Sequence, residues 1–330
     1  MSFTRLSFNE IFVNEFAMQS TVTKLSAEIP GKLMGHLAQL GSVVIFSCGF
    51  MVQKSLLTDY SASKILLWQF LGACVVMWVI CAFRQILPAF GKRFFLTILW
   101  GAMAPGLVMI LNIYGGAKTD GVSLALMWGL LPLIVPVLGF LLLKERPHWT
   151  LGLGALIGFG GLVALTLNRE AAGIGSLTGN LLILLGVVCA SFSQIIGRRL
   201  NEGKAPWFQV ATLQVSGALV VVLGLAAATG NLSSMVISIP AQGFAMAYLV
   251  LAMTVLNYTL FNFALKQLPV AWVSIYVALN PAIGTLAAIY ILDANPRFID
   301  WLGMAVIVSG VVLPHIYVLL QRNKPVAPAG

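Results

Sequence analysis

The sequence predicts an all-α integral membrane protein whose ten transmembrane helices form two inverted repeats of five. Three observations carry this. Of 330 residues, 59% are apolar and 9% charged, and the mean hydropathy is +0.96, values a soluble domain does not reach. Ten mostly apolar windows each approach the roughly 20 residues needed to cross a bilayer. One hairpin also occurs twice: LLPLIVPVLGFLLLKERPHWTLGLGALIGFGG at 130–161 returns 149 positions later as LNPAIGTLAAIYILDANPRFIDWLGMAVIVSG.

The positions common to the two hairpins are the punctuating ones: Pro132 and Pro281, Leu143 and Leu292, Pro147 and Pro296, Gly154 and Gly303, Gly161 and Gly310. Each copy reads as a helix, a polar turn ending in proline, and a second helix. A fainter repeat at an offset of 145 pairs Gln69, Gly72 and Ala73 with Gln214, Gly217 and Ala218. Five spans per half is an odd number, so the second half enters the bilayer in the opposite sense. Inverted repeats of this kind are an architecture of secondary transporters.

In chain order, the windows run 36–56, 64–83, 94–115, 121–143, 149–167, 179–197, 207–229, 241–265, 269–292 and 298–320. Polar or helix-breaking residues bound them. Lys54 and Lys64 flank the first turn, Arg84 to Arg93 the second, and Lys118 to Asp120 the third. The fourth turn is Lys144 to Pro147, and NREAAGIGS joins the halves. Arg198 to Pro206, Gly230 to Pro240, Lys266 to Pro269 and Asp293 to Arg297 separate the later spans. The expected domains are a cytoplasmic tail at 1–31, repeats at 32–168 and 177–321, and a second cytoplasmic tail at 322–330.

The net charge of +9 is a topology signal. With the N-terminus placed in the cytoplasm, fourteen Lys and Arg fall on that side and five (Lys54, Lys64, Lys118, Arg169, Arg297) on the other. No basic patch interleaved with aromatics points to nucleic acid. Cys48, Cys74, Cys81 and Cys189 lie in spans without metal-site or redox spacing and read as packing residues. No cleavable signal peptide is expected in the first 31 residues. Phe8, Ile11, Phe12 and Phe16 stand at the spacing of an interfacial helix, while a disordered tail or a start at Met18 or Met34 is equally compatible.

On these residues the chain resembles the drug/metabolite transporter superfamily, in its EamA-like branch. The likeness covers everything after the tail and is densest from Pro132 through Lys144-Glu145-Arg146-Pro147 to Gly161. It departs at Asp293-Ala294-Asn295-Pro296, where the turn glutamate is missing, at Phe46-Ser47-Cys48-Gly49, where relatives often carry Trp-Gly, and at Gln69 and Gln214, where Arg is frequent. The resemblance implies a multi-pass carrier in a cell membrane, a bacterial inner membrane, with both termini cytoplasmic.

Polar groups in mid-span are the candidate substrate-binding residues, because each must find a partner or line water. Asn257, Tyr258 and Asn262 lie in span 8, and Trp272, Tyr276 and Asn280, spaced by four, share one face of span 9. Facing contributions come from Ser47, Asn112, Trp128, Ser193 and Gln194. The plainer reading is interhelical hydrogen bonding for the amides and interfacial anchoring for the rings. Pro132, Pro136 and Pro281 interrupt helical bonding, which makes Pro132 and Pro281 hinge candidates; a fixed kink is the alternative. The glycines of spans 5 and 10 read as packing sites, and Glu145 as a solvated turn residue.

No Asp or Glu lies in mid-span to shuttle protons, so exchange or facilitated movement is expected. No Lys or Arg lies deep enough to neutralise a phosphate. The expected function is a carrier of small neutral or zwitterionic metabolites, amino acids or related amphipathic compounds, exported by alternating access. A non-transporting assembly or sensor subunit and an intramembrane enzyme are the alternatives. His36, His148 and His315 stand near span ends, and neither H-E-x-x-H nor G-x-S-x-G occurs, so the chain is read as not an enzyme. A small-molecule substrate and the lipid bilayer are the expected partners, without nucleic acid, cofactor or metal. A homodimer is left open.

Overall fold

The computed structural model describes residues 8–143, 149–201, 205–230 and 241–322, and these residues form helices and connecting turns without strands. The turn with Glu145, the Arg146-Pro147 step and His148 lie outside the described residues. The helices are α1 (Phe8–Ser55), α2 (Ala62–Phe83), α3 (Lys92–Gly101), α4 (Val108–Lys118), α5 (Gly121–Trp128), α6 (Leu131–Leu143) and α7 (Trp149–Ala171) in the first half. The second half holds α8 (Leu177–Asn201), α9 (Trp207–Ala228), α10 (Ala241–Ala247), α11 (Asn257–Gln267), α12 (Val270–Val277), α13 (Asn280–Leu292) and α14 (Phe298–Arg322).

Stacked end to end, these make ten rods. Eight are long and apolar enough to cross a membrane, while the described parts of α7 and α14 hold the shorter apolar stretches Leu156–Arg169 and Phe298–Gly310. Helices are the element that apolar surroundings demand, because each satisfies its own backbone. Phe83, Phe90, Phe244, Tyr290 and Phe298 are exposed on the outer surface, as a protein solvated by lipid allows. The first helix begins in the tail, at Phe8, and continues into the first span without a break.

The inverted repeat is legible in the element boundaries. Adding 145 to the bounds of α2 gives those of α9, and adding 149 to the bounds of α4, α5 and α6 gives those of α11, α12 and α13. The four-residue difference falls in one connection, which covers 84–91 in the first half and 229–240 in the second. Spans 3 and 8 each contain a widened π segment, Ala102–Leu107 and Tyr248–Leu256, ending just before α4 and α11. In the first, Ala104 is extended (φ −144°, ψ 115°) ahead of Pro105. A proline ring disfavours the helical conformation in the residue before it.

Pro132 and Pro281 do not interrupt a helix. Spans 4 and 9 are broken, and each proline stands in the first turn of the second piece, where its missing N–H costs nothing. The two-residue joints, Gly129-Leu130 and Ala278-Leu279, are closed by tight bonds: Gly129 N to Leu126 O, Leu130 N to Met127 O, Ala278 N to Ile275 O and Leu279 N to Tyr276 O. Only Pro136 sits inside a helix among the three expected interrupters.

Close packing places the rods. A Cβ on Gly101 would lie 1.9 Å from Gln214 O, and one on Gly217 would lie 2.0 Å from Ile98 O, so α3 and α9 touch backbone to backbone. The glycine-rich α7 and α14 pack likewise on each other, where a Cβ on Gly310 would come within 2.8 Å of Gly154 O. Basic residues cap equivalent helix ends in the two halves. Lys54 Nζ donates to Gly116 O and Thr119 O, both at 2.6 Å, at the end of α4. At the end of α11, Arg198 Nη1 donates to Leu265 O and Leu268 O, the same two positions displaced by 149. Each cation also offsets the negative end of its helix dipole.

Candidate functional site

The two halves enclose a cavity at mid-length of the spans, with about 80 Å³ open to the centres of water-sized molecules, several times the minimum for one water. From α1 come Gln39, Ser42 and Phe46; from the break in span 3, Ala104 and Pro105. The joints of the broken spans supply Trp128 and Leu131 on one side and Val277 and Asn280 on the other. Ser193 and Gln194 of α8, Gln214 of α9, and Asn257, Tyr258 and Phe261 of α11 complete the polar and aromatic wall. Among the described residues no charged side chain and no histidine lines it.

Three aromatic rings gather beside the cavity. Phe46 meets Phe50 at 4.3 Å and Trp128 at 4.9 Å between centroids, and Phe50 meets Trp128 at 5.2 Å. These rings lie toward the end of α1, away from the termini. The positions related by the repeat are Ser191, Ile195 and Val277, none of them aromatic.

Six of the residues singled out in the sequence line the cavity: Asn280, Trp128, Asn257, Tyr258, Ser193 and Gln194. Three stand directly behind it. Ser47 Oγ lies 2.6 Å from Asn280 Oδ1, Trp128 Nε1 donates to Asn112 Oδ1 at 3.1 Å, and Asn262 Nδ2 donates to Gln214 Oε1 at 2.7 Å. Tyr276 and Trp272 are elsewhere, packed with His36 near the start of the first span. Tyr276 Oη is 3.1 Å from His36 Nδ1, and Trp272 meets the His36 ring edge-on at 5.4 Å. Spacing by four puts residues on one face only along an unbroken helix, and α12 ends at Val277 before Asn280 begins α13.

Other site residues escaped the sequence reading. Gln39 and Ser42 lie one turn apart on α1, a period that was available as a signal. Gln214 marked the repeat but was not read as part of the site. In the structure its Nε2 donates to Ala104 O at 3.0 Å, while the repeat-related Gln69 donates to Thr254 Oγ1 at 3.0 Å. Each glutamine therefore grips the π segment of the opposite half. A buried ion cluster was also missed: Arg169 bonds Asp300, Asp120 (2.6 Å) and Ser123 Oγ (3.1 Å), with Asp300 fully buried. Among the described residues no group of three or more His, Cys, Asp or Glu is placed to hold a metal ion.

Comparison with known proteins agrees with this architecture. The model of the EamA-like transporter family matches residues 33–167 and 177–314, one match per repeat. The chain belongs to the EamA-like transporter family. It is a membrane transporter of this family, within the drug/metabolite transporter superfamily. Two Bacillus subtilis (strain 168) proteins are similar along most of their length. Uncharacterized transporter YyaM is 24% identical over 288 residues, covering 84% of this chain and 92% of its own. Uncharacterized transporter YetK is 22% identical over 269 residues, covering 78% of each. A protein of known crystal structure superposes with a TM-score of 0.65 at 18% identity, over 88% of this chain and 99% of its own, and so shares the fold.

Proposed function

We propose that this transporter is a secondary carrier that moves small neutral or zwitterionic amphipathic metabolites through the central cavity by alternating access, in the export direction. The observation that carries the reading is the uncharged cavity of amides and aromatic rings between the inverted halves, with Phe46, Phe50 and Trp128 clustered on one side and Ser191, Ile195 and Val277 at the related positions. A phosphate or dicarboxylate would meet no cation there, whereas an amphipathic solute meets rings and amides together.

Inverted halves support alternating access because each can adopt the other's tilt, which moves the opening across the membrane around a fixed site. The mutual grips of Gln69 and Gln214 on the π segments supply matched contacts for such an exchange. The charge distribution supports a cell-membrane protein with both termini facing the cytoplasm, since fourteen of nineteen basic residues lie on the terminal side. The chain acts on solute position and not on covalent bonds, in keeping with the family.

The test is counterflow in proteoliposomes preloaded with members of a metabolite panel. Transient accumulation of labelled solute above equilibrium is expected for a neutral or zwitterionic member. A protein that inserts correctly and exchanges nothing would favour a non-transporting subunit.

A further inference from the structure

Resting on the carrier reading, the selectivity of the cavity traces to one side chain of its wall. Five amides line the cavity: Gln39, Gln194, Gln214, Asn257 and Asn280. Four of them are tied to protein. Gln39 Nε2 donates to Val273 O at 3.1 Å, and Gln214 Nε2 donates to Ala104 O at 3.0 Å while its Oε1 accepts from Asn262. Ser42 Oγ donates to Asn257 Oδ1 and Ser47 Oγ to Asn280 Oδ1, both at 2.6 Å. Each tether fixes where the rest of that amide points. Turning Gln39 or Gln214 over would set its oxygen against Val273 O or Ala104 O and lose the bond.

Gln194 is the fifth and has no tether. Its Oε1 is buried without a partner, and its Nε2 makes no hydrogen bond among the described residues, although the residue is only 4% exposed. A buried polar group left unbonded is costly, and the occupant of the cavity is the group placed to relieve it.

The backbone beneath Gln194 is held firmly. Trp100 Nε1 donates to Ser193 O at 3.1 Å and to Ser193 Oγ at 2.6 Å. The Trp100 ring also packs on Gly197, where a Cβ would lie 2.5 Å from it. The amide head is therefore delivered to a fixed place and left to turn there. The last torsion of a glutamine is broad and roughly two-fold, and half a turn exchanges oxygen for nitrogen at nearly the same position. One side chain thus accepts from a solute N–H or donates to a solute oxygen. The position related by the repeat is Gly49, with Met253 packed against it, so the first half carries no second copy of this amide.

We propose that Gln194 is the specificity-determining residue of the carrier, its untethered amide turning to match the polar end of the solute, so that the cavity takes donor-ended and acceptor-ended amphipathic solutes alike.

Three neutral bicyclic probes of similar size test this: indole, whose N–H only donates, 1-indanone, whose carbonyl only accepts, and indene, which does neither. Binding to the purified full-length protein in detergent is measured by titration calorimetry. Indole and 1-indanone are expected to bind within about tenfold of each other, and each about tenfold tighter than indene, the difference one buried hydrogen bond produces. Gln194→Met should weaken indole and 1-indanone by about the same tenfold and leave indene unchanged. Thermal unfolding checks that the variant is folded, and Gln194→Leu replaces it if it is not. Loss of one polar probe alone would show an amide fixed in one direction and overturn the proposal. Loss of neither, equal binding of all three probes to the parent protein, or binding of none would overturn it as well. The expected pattern in a protein that exchanges no member of a metabolite panel in counterflow would leave Gln194 as the residue that reads the ligand and count against the carrier reading.

Discussion

Replacing Arg169 with methionine tests the account of the ion cluster at the ends of spans 4, 5 and 10. Arg169 is 4% exposed and joins Asp120, which N-caps α5, to Asp300 at the start of α14. Methionine keeps most of the aliphatic bulk and removes the charge. Asp300, with 0% exposure, would keep only the Arg297 backbone N–H at 2.7 Å and the half-exposed Arg297 guanidinium at 3.7 Å. Leaving a buried carboxylate so poorly compensated should cost about 3–5 kcal/mol. Asp120 is spared because its side chain is 26% exposed and accepts from Val122 N and Ser123 N. Adding Asp300→Leu should therefore recover most of the loss, since an apolar pair of similar volume replaces a buried ion pair at little cost. Reversible unfolding in mixed detergent micelles measures both steps. A single variant costing under about 1 kcal/mol, or a double variant worse than the single one, would refute the reasoning. The positions related by the repeat are Pro269, Val318 and Leu151, so this brace exists on one side of the molecule only.

Three further outcomes are expected. Gly101→Val should impair assembly or cost at least about 1–3 kcal/mol, because its Cβ would overlap Gln214 O, whereas Gly160→Ala, with nothing within 4 Å, should unfold like the parent protein. An imposed pH gradient alone should not concentrate solute, because no carboxylate lines the cavity; proton-driven uphill accumulation would contradict this and direct attention to Glu145, Asp293 and His315. In a background lacking the four cysteines, Ala172→Cys should label from outside intact cells and Gln85→Cys only after permeabilisation, and the reverse pattern would invert the topology.

The fold was legible because its signals are long and repeated. Apolar runs of span length need no partner to be recognised, and the Pro132/Pro281 hairpins carry the inversion in the spacing alone. The break in spans 4 and 9 was only half visible. Sequence shows a proline but not whether it lies inside a helix or begins one, and the choice decides which residues share a face. That is why Asn280 reaches the cavity and Tyr276 sits with His36. Gln39 and Ser42 offered a one-turn spacing on α1, but polar groups in an apolar helix look the same whether they bond a neighbouring helix or line a cavity. Asp120, Arg169 and Asp300 lie far apart in sequence and near span ends, where charges ordinarily meet water. Only the packing of α5, α7 and α14 turns them into a buried cluster.

Counterflow of a labelled cavity ligand through Asn280→Ala in proteoliposomes tests most directly whether the cavity is the transport site. Asn280 is 3% exposed, lines the cavity and pairs with Ser47. Its loss should raise the half-saturating concentration about 5- to 150-fold, the equivalent of roughly 1–3 kcal/mol. Tyr276→Ala and Ser309→Ala, both outside the cavity, should alter stability while leaving the half-saturating concentration near that of the parent protein. Unchanged affinity and solute preference in Asn280→Ala, with loss of saturable flux in Tyr276→Ala, would place the site at the His36 cluster and contradict the account.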